Sequence, residues 1–448
     1  MISNRLSRWT LPFFGCALVN FIAAQALVVA GVSWPAQSWA APGTLVAVHL
    51  LTIGWLLLLM LGALFQFVPV MTSKMLPSQN LALATLAGVE VGLLGMICGF
   101  VALGQGLTVL AHCLPAGGAL VIIGVLIAIG DIAAPLLQAR PLPLPGRMVL
   151  TAFAFLLAAI TLGLLMALAL TIPSVAPYFA PLVGGVGYHI LAGLGGWFTI
   201  GAIGVSYKLL PMFMLAPEER GFVGELVHYL SAAGFALALV AGLAQLWRPG
   251  AALHALELAG YALVVVAIGL YLFDVVRLYR TRKRAAIELH NKAAIGAFAM
   301  FAIAMLLAIA AVATGTLAAR LPVLIFLVLF GWLSGLGVTQ LYKIVPFLTW
   351  IGRFGQSLGR GPVPRVQDLV AERRGAPWFI VYFAGVAFAA PALFGRGPDL
   401  FRAGMVITAA ATLMLMREYW RAWRGYYATR QPTTPAAPTH FVNKEMTR

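Results

Sequence analysis

Twelve apolar stretches, each long enough to cross a lipid bilayer, follow one another along the 448-residue chain. A helix of about 20 apolar residues spans the roughly 30 Å hydrocarbon core of a bilayer. The hydrophobic share of 62% and the charged share of 9% are far from the roughly 45–50% and 25% of soluble domains. The sequence therefore predicts an all-α integral membrane protein with twelve transmembrane helices. These helices are expected at about residues 11–31, 44–70, 80–103, 107–130, 148–171, 181–212, 225–245, 255–277, 292–318, 321–348, 376–395 and 400–420.

The basic residues predict the orientation of these helices. If the N-terminus lies inside, the outer loops contain only four of the 29 Lys and Arg residues: Arg248, Arg320, Arg396 and Arg402. Inner loops of membrane proteins are enriched in Lys and Arg, so we expect both termini in the cytoplasm, in a bacterial-type inner membrane. The net charge of +16 then reflects orientation rather than nucleic-acid binding. A tail at about 429–448, rich in Thr, Pro and Ala, is predicted to be disordered.

One motif, G-W-x9-[FY]-[QK]-x-x-P, occurs three times, on the second, sixth and tenth predicted helices. The spacing predicts three four-helix repeats, at about 1–140, 141–285 and 286–428, in a single membrane domain. Four is an even number, so all repeats enter the membrane in the same direction and are related by a pseudo-threefold axis along the membrane normal. Interfacial anchoring by Trp and Lys is the alternative, but it does not explain the spacing. The copies are Gly54-Trp55, Phe65-Gln66 and Pro69; Gly196-Trp197, Tyr207-Lys208 and Pro211; Gly331-Trp332, Tyr342-Lys343 and Pro346.

Twelve helices in three four-helix arcs resemble the heme-copper oxidase superfamily, whose central subunit also has this plan. The segment 67–71, Phe-Val-Pro-Val-Met, is similar to the end of the second helix in those oxidases. The run from Gly331 to Pro346 is similar to the end of their tenth helix. The resemblance implies the oxidase fold over nearly all twelve helices.

The metal ligands that the resemblance implies are nevertheless missing. The family's low-spin heme ligands correspond to Ala47 and Phe326, its high-spin heme ligand to Leu324, and a copper ligand to Leu191. None of these side chains coordinates a metal. The chain is therefore predicted to be a divergent member that is not a functional terminal oxidase.

Two histidines occupy the complementary positions, His49 six residues before Trp55 and His189 eight residues before Trp197. Two residues of α-helix turn the chain by about 200°. A ligand that is shifted by two residues along one of these helices therefore faces a different pore of the family's fold. In the family, the low-spin heme ligands lie six residues before the repeat tryptophan on the tenth helix and eight residues before it on the second helix. Moved along by one repeat, the same offsets fall on the second and sixth helices, at His49 and His189. The resemblance thus implies one bis-histidine heme b in the pore that the oxidases leave empty, with a His–Met pair as a competing geometry. The alternative is two ordinary hydrogen-bonded histidines near the outer membrane surface.

Other polar residues in the spans carry weaker predictions. Glu90, near the middle of the third predicted helix, is expected either to hydrogen-bond a neighbouring helix or to belong to a proton path. Lys208 and Lys343 are expected to extend to the inner surface, and the repeat prolines to end or kink their helices. The cysteines, Cys16, Cys98 and Cys113, are interpreted as inert packing residues. The remaining histidines, His112, His228, His254, His290 and His440, are interpreted as non-ligands or, for His112, as an alternative ligand.

Two classes of function follow from these features. The first is a membrane-embedded b-type heme protein that transfers electrons, with a redox partner protein or quinol, or responds to nitric oxide or another small ligand. The second is a non-heme transporter or assembly factor that kept the fold. Copper binding through methionines stays open at this point.

Overall fold

The computed structural model describes residues 3–217, 221–357, 363–395 and 397–427, and within these ranges the chain is helical with no β-strand. The described part contains twelve helices long and apolar enough to cross a membrane, so the prediction of a multi-pass membrane protein is confirmed. Residues 429–448, for which disorder was predicted, lie outside the described ranges. The helices are α1 (Trp9–Val29), α2 (Pro42–Thr72), α3 (Leu81–Gly104), α4 (Thr108–Gln138), α5 (Leu144–Thr171), α6 (Val186–Met214), α7 (Phe222–Gln245), α8 (Ala251–Thr281), α9 (Leu289–Ala313), α10 (Leu317–Phe354), α11 (Glu372–Phe394) and α12 (Pro398–Arg424).

Helices α2, α6 and α10 form the interior of the bundle. The most apolar part of α10 is 72% buried, and those of α2 and α6 are each 61% buried, whereas no other span exceeds 50%. The other helices expose apolar side chains on their outer faces, as expected when lipid rather than water surrounds them. The three helices that carry the repeated motif are therefore the most enclosed ones.

The repeated tryptophans are core residues. Trp55 and Trp332 have no exposed surface and Trp197 has 1%. Each indole stacks on a phenylalanine of the preceding helix: Trp55 on Phe21, Trp197 on Phe153 and Trp332 on Phe301, with interplanar angles of 9°, 14° and 4°. Interfacial anchoring is therefore wrong for these tryptophans, because they pack against neighbouring helices.

Close pairs of helices surround this interior, and glycines allow the close approach. A Cβ built on Gly92 of α3 would lie 2.7 Å from the carbonyl oxygen of Gly117 on α4, and one on Gly260 of α8 would lie 2.6 Å from that of Gly234 on α7. Gly404 of α12 meets Ala389 of α11 in the same way. Small residues at helix contacts let backbones approach closely in membrane proteins. The third and fourth helices of each successive group of four are thus tightly paired.

The repeat prolines do not all end their helices. Pro69 and Pro211 lie three residues before the ends of α2 and α6. The residues that follow the ends of α2 and α6, Ser73 and Leu215, have positive φ values of 53° and 52°, and this backbone conformation ends the helices. By contrast, α10 continues as a helix beyond Pro346 to its end at Phe354, so this proline does not end its helix.

Candidate functional site

The three central helices depart from α-helical geometry at the repeated Gly-Trp pair. Among the described residues, π-helical turns cover Leu50–Leu57 in α2, Leu191–Thr199 in α6 and Leu327–Leu333 in α10. A π-helix bonds each N–H to the carbonyl five residues earlier, is rare, and occurs frequently at functional sites. The rotation of about 200° per two residues applies to α-helices and fails across these turns. The phase and depth of each histidine relative to its tryptophan therefore cannot be obtained from residue offsets alone.

His49 lies directly before the π-turn of α2. Its Nδ1 lies 2.7 Å from the carbonyl oxygen of Leu45, one helical turn earlier. Its ring packs 4.9 Å, between centroids, from that of Phe100, near the end of α3. Because the carbonyl accepts only, Nδ1 carries the proton and Nε2 keeps its lone pair.

His189 lies just before the π-turn of α6, in contact with α5. Its Nδ1 lies 2.9 Å from the carbonyl oxygen of Ala159. A Cβ built on Gly163 would lie only 3.0 Å from Cε1 of His189, so the missing side chain leaves room for the imidazole. Because this carbonyl also only accepts, Nδ1 of His189 carries the proton and the lone pair is on Nε2.

The two predicted residues are within electrostatic reach of each other. His49 and His189, from different central helices, are close enough for a charge on one imidazole to act on the other. Both side chains are half-buried, and in the described part of the chain no hydrogen bond to either Nε2 is formed. A backbone carbonyl that fixes one ring nitrogen while the other stays free is the usual arrangement of metal-ligating histidines.

Apolar side chains pack at the positions that the resemblance aligns with oxidase metal ligands. The ring of Phe326 packs at 5.2 Å and 5.0 Å, between ring centroids, against those of Phe330 and Phe401, tilted in the first case and edge-on in the second. Ala47 and Leu324 are buried, and Leu191 is half-buried at the start of a π-turn.

Glu90 belongs to a polar contact between three helices. Its Oε1 accepts a hydrogen bond of 2.9 Å from Nδ2 of Asn20 on α1. The same Nδ2 lies 3.3 Å from the carbonyl oxygen of Gly54, inside the π-turn of α2. A Cβ at Gly54 would lie 2.6 Å from Cβ of Asn20, so this contact requires the motif glycine. Asn20, which sequence reasoning missed, could have been noticed as an amide within an apolar span.

A second missed cluster surrounds Glu257 on α8. Its carboxylate accepts hydrogen bonds from Tyr261 at 2.9 Å, Gln245 at 2.5 Å and Tyr188 at 3.3 Å. Tyr188 precedes His189, so this buried carboxylate positions the segment of α6 that carries the histidine. A glutamate within an apolar stretch was the available signal.

An ionic cluster lies where α9 and α10 meet the loop before α9. Lys343 donates to Glu288 at 2.5 Å, and Arg284 also pairs with this carboxylate. Burial alone would raise the pKa of Glu288, but the hydrogen bond and charge of Lys343, with the charges of His290 and Arg284, hold it below its usual value. Lys343 is therefore ion-paired in this cluster, and Lys208 is half-buried.

The other histidines do not join the pair. His228 contacts Thr151 at 3.0 Å and His290 is 2% exposed. His254 and His112 are exposed, and His440 lies outside the described residues. Within the described residues no group of three or more His, Cys, Asp or Glu is placed to hold a metal ion.

No protein-family model matches the chain, and no curated protein matches it in sequence. The function proposed below therefore depends on the geometry of the site.

Proposed function

We propose that the chain is a membrane-embedded b-type heme protein on an oxidase-like scaffold, and that it transfers electrons or responds to nitric oxide or another small ligand. One observation carries this proposal. His49 on α2 and His189 on α6 are within electrostatic reach of each other, and each has Nδ1 bonded to a backbone carbonyl, which leaves Nε2 as the free nitrogen.

The residues around the two histidines fit a heme. Imidazole nitrogen is a common axial ligand of heme iron, and outer hydrogen bonds from Nδ1 to carbonyls strengthen such ligands. The absence of a side chain on Gly163 makes room for the imidazole of His189, and the ring of Phe100 supplies an apolar wall beside His49. A bound heme would supply one-electron redox chemistry. The protein's own contribution is to hold both rings in one tautomer and to surround them with apolar helices.

Three features support the pseudo-threefold arrangement that this assignment uses. In the described residues each central helix has a π-turn at its Gly-Trp pair. Each of these tryptophans stacks on a phenylalanine of the preceding helix. The close helix pairs α3–α4, α7–α8 and α11–α12 occur at the same place in each group of four. We infer three repeats with the histidine pair in the pore between the first and second.

The apolar side chains at the family's ligand positions support a role other than oxygen reduction. A binuclear centre needs a second metal opposite a heme, and Leu324 and Leu191 cannot ligate either one. Both His49 and His189 would be used to hold the heme iron, so the group would supply electron transfer rather than oxygen binding. We therefore favour electron transfer, with a quinol or a redox protein as partner, in a bacterial-type inner membrane with both termini cytoplasmic.

A non-heme transporter or assembly factor is the second candidate. The described residues contain no group of three or more His, Cys, Asp or Glu placed to hold a metal ion. This observation agrees with a protein that binds no metal through three or more protein ligands. In that case the two imidazoles are only hydrogen-bonded packing residues.

The optical spectrum of the purified full-length protein, produced with ample heme supply, separates the two candidates. We expect a b-type low-spin spectrum with about one heme per chain, abolished in both His49→Ala and His189→Ala. His112→Ala is the matched control, because His112 also bonds a carbonyl one turn earlier, Thr108 at 2.9 Å, but is exposed. A folded protein without heme, or a spectrum unchanged in both variants, would support the second candidate.

A further inference from the structure

Two of the three cysteines meet between α3 and α4. Cys98 lies near the end of α3 and Cys113 near the start of α4, where the two helices pack closely at Gly95 and Gly99. They are separated by a short connection in the chain, so both thiols lie toward the same end of the bundle. The interpretation of these cysteines as inert packing residues fails for Cys98, because its side chain is exposed.

The close approach of the two helices at this level is built into their backbones. A Cβ built on Gly95 would lie 3.4 Å from the carbonyl oxygen of Cys113. One built on Gly99 would lie 2.6 Å from Cα of Leu114. The glycines on either side of Cys98 thus bring α3 directly against the first turns of α4. Both thiols are held on rigid helices rather than on a mobile loop.

The third cysteine has a different environment. Cys16 is half-buried on α1 and its thiol contacts the carboxylate of Glu90. Cys98 is exposed on the outer face of the bundle and Cys113 is half-buried beside it. A lipid-soluble reagent therefore reaches the pair from the membrane, and Cys16 provides an internal control.

We propose that Cys98 and Cys113 form a redox-active dithiol that a membrane benzoquinone oxidises to a disulfide. Both S–H bonds break and one S–S bond forms. The two electrons and two protons released pass to the quinone, which becomes the quinol. The proposal depends on the close approach of α3 and α4 at Gly95 and Gly99, which brings the two cysteine positions together, and it does not require a heme.

The predicted orientation agrees with this chemistry. With the N-terminus inside, the end of α3 and the start of α4 lie on the outer side of the membrane. Disulfides persist in oxidising compartments such as the bacterial periplasm. In the oxidised state the bond ties α3 to α4 beside their glycine contact.

The test counts free thiols in the full-length protein in lipid nanodiscs. The protein is reduced, freed of reductant, treated with a short-chain benzoquinone, denatured in acid and alkylated with a mass-tagged maleimide. We expect three reactive thiols before oxidation and one afterwards, with one quinol formed per chain. Peptide mapping should identify a Cys98–Cys113 linkage that dithiothreitol reverses.

Variants assign the thiols. Cys16→Ser should fall from two reactive thiols to none, whereas Cys113→Ser and Cys98→Ser should each keep two after treatment. Three reactive thiols in the oxidised wild-type protein, a stable quinone adduct, or a disulfide between two chains would overturn the proposal. The wild-type count decides by itself if a variant does not fold.

Discussion

The space that Gly163 leaves for His189 permits a direct test of the histidine pair. In Gly163→Ala the new methyl group would lie 3.0 Å from Cε1 of His189, inside ordinary van der Waals contact. The imidazole must move, and its bond to the carbonyl of Ala159, now 2.9 Å, is lengthened or lost. The substitution therefore acts on a ligand without removing it.

The size of the effect follows from the cost of overpacking. Inserting an extra methyl group into a packed site costs about 1–3 kcal/mol. If this cost acts on the heme-binding conformation, heme affinity falls roughly 5- to 150-fold, since about 1.4 kcal/mol corresponds to a tenfold change. Replacing glycine by alanine within a helix favours the fold by up to about 1 kcal/mol, so overall stability should change less than heme affinity.

The assay is heme titration of apoprotein, with Gly130→Ala as the matched control. Gly130 lies within α4, and a Cβ built there meets no atom within 4 Å in the described structure. We expect wild-type affinity and spectrum for the control, and weakened binding with an altered low-spin signal for Gly163→Ala. Equal affinity and identical spectra in the two variants would refute the placement of His189 as a ligand.

Three further predictions concern stability and orientation. Ser334→Ala removes the acceptor of the 2.9 Å hydrogen bond from Trp55 Nε1, strands a buried N–H and should lower the free energy of unfolding by about 1–3 kcal/mol in denaturant titration; an unchanged midpoint would contradict this. The pKa of Glu288 in the folded protein lies below its ordinary value of 4.5, so this carboxylate stabilises the fold above that pH and the stabilisation is lost as pH falls through the folded pKa. The thermal unfolding temperature of Glu288→Gln should therefore depend less on pH below about 4.5 than that of the wild-type protein. Parallel curves of unfolding temperature against pH for the two proteins would contradict this prediction. In a cysteine-free background, Lys283→Cys should resist an impermeant thiol reagent in intact cells while Gln37→Cys reacts; the reverse pattern would invert the topology.

The sequence by itself determined the helices and singled out three of them by a repeated motif. Twelve apolar stretches of sufficient length can satisfy their backbone groups in lipid only as helices, so their number and approximate positions are local properties of the chain. The repeated Gly-Trp pair also identified α2, α6 and α10, which are the most enclosed helices. What it could not show was that these tryptophans are buried, because Trp is equally common at membrane surfaces.

Only the tertiary structure decided which polar groups meet. The π-turns cannot be predicted from α-helical periodicity. They change the direction in which His49 and His189 point relative to the repeat tryptophans. The contact of Glu90 with Asn20 and the approach of the Cys98 and Cys113 positions join different helices, and both depend on how closely glycines let backbones approach. Hydropathy measures how favourably each segment transfers from water into lipid, and this is a property of the segment alone. Contacts between segments depend on rotation and separation of helices, which packing sets and single-residue hydropathy does not encode.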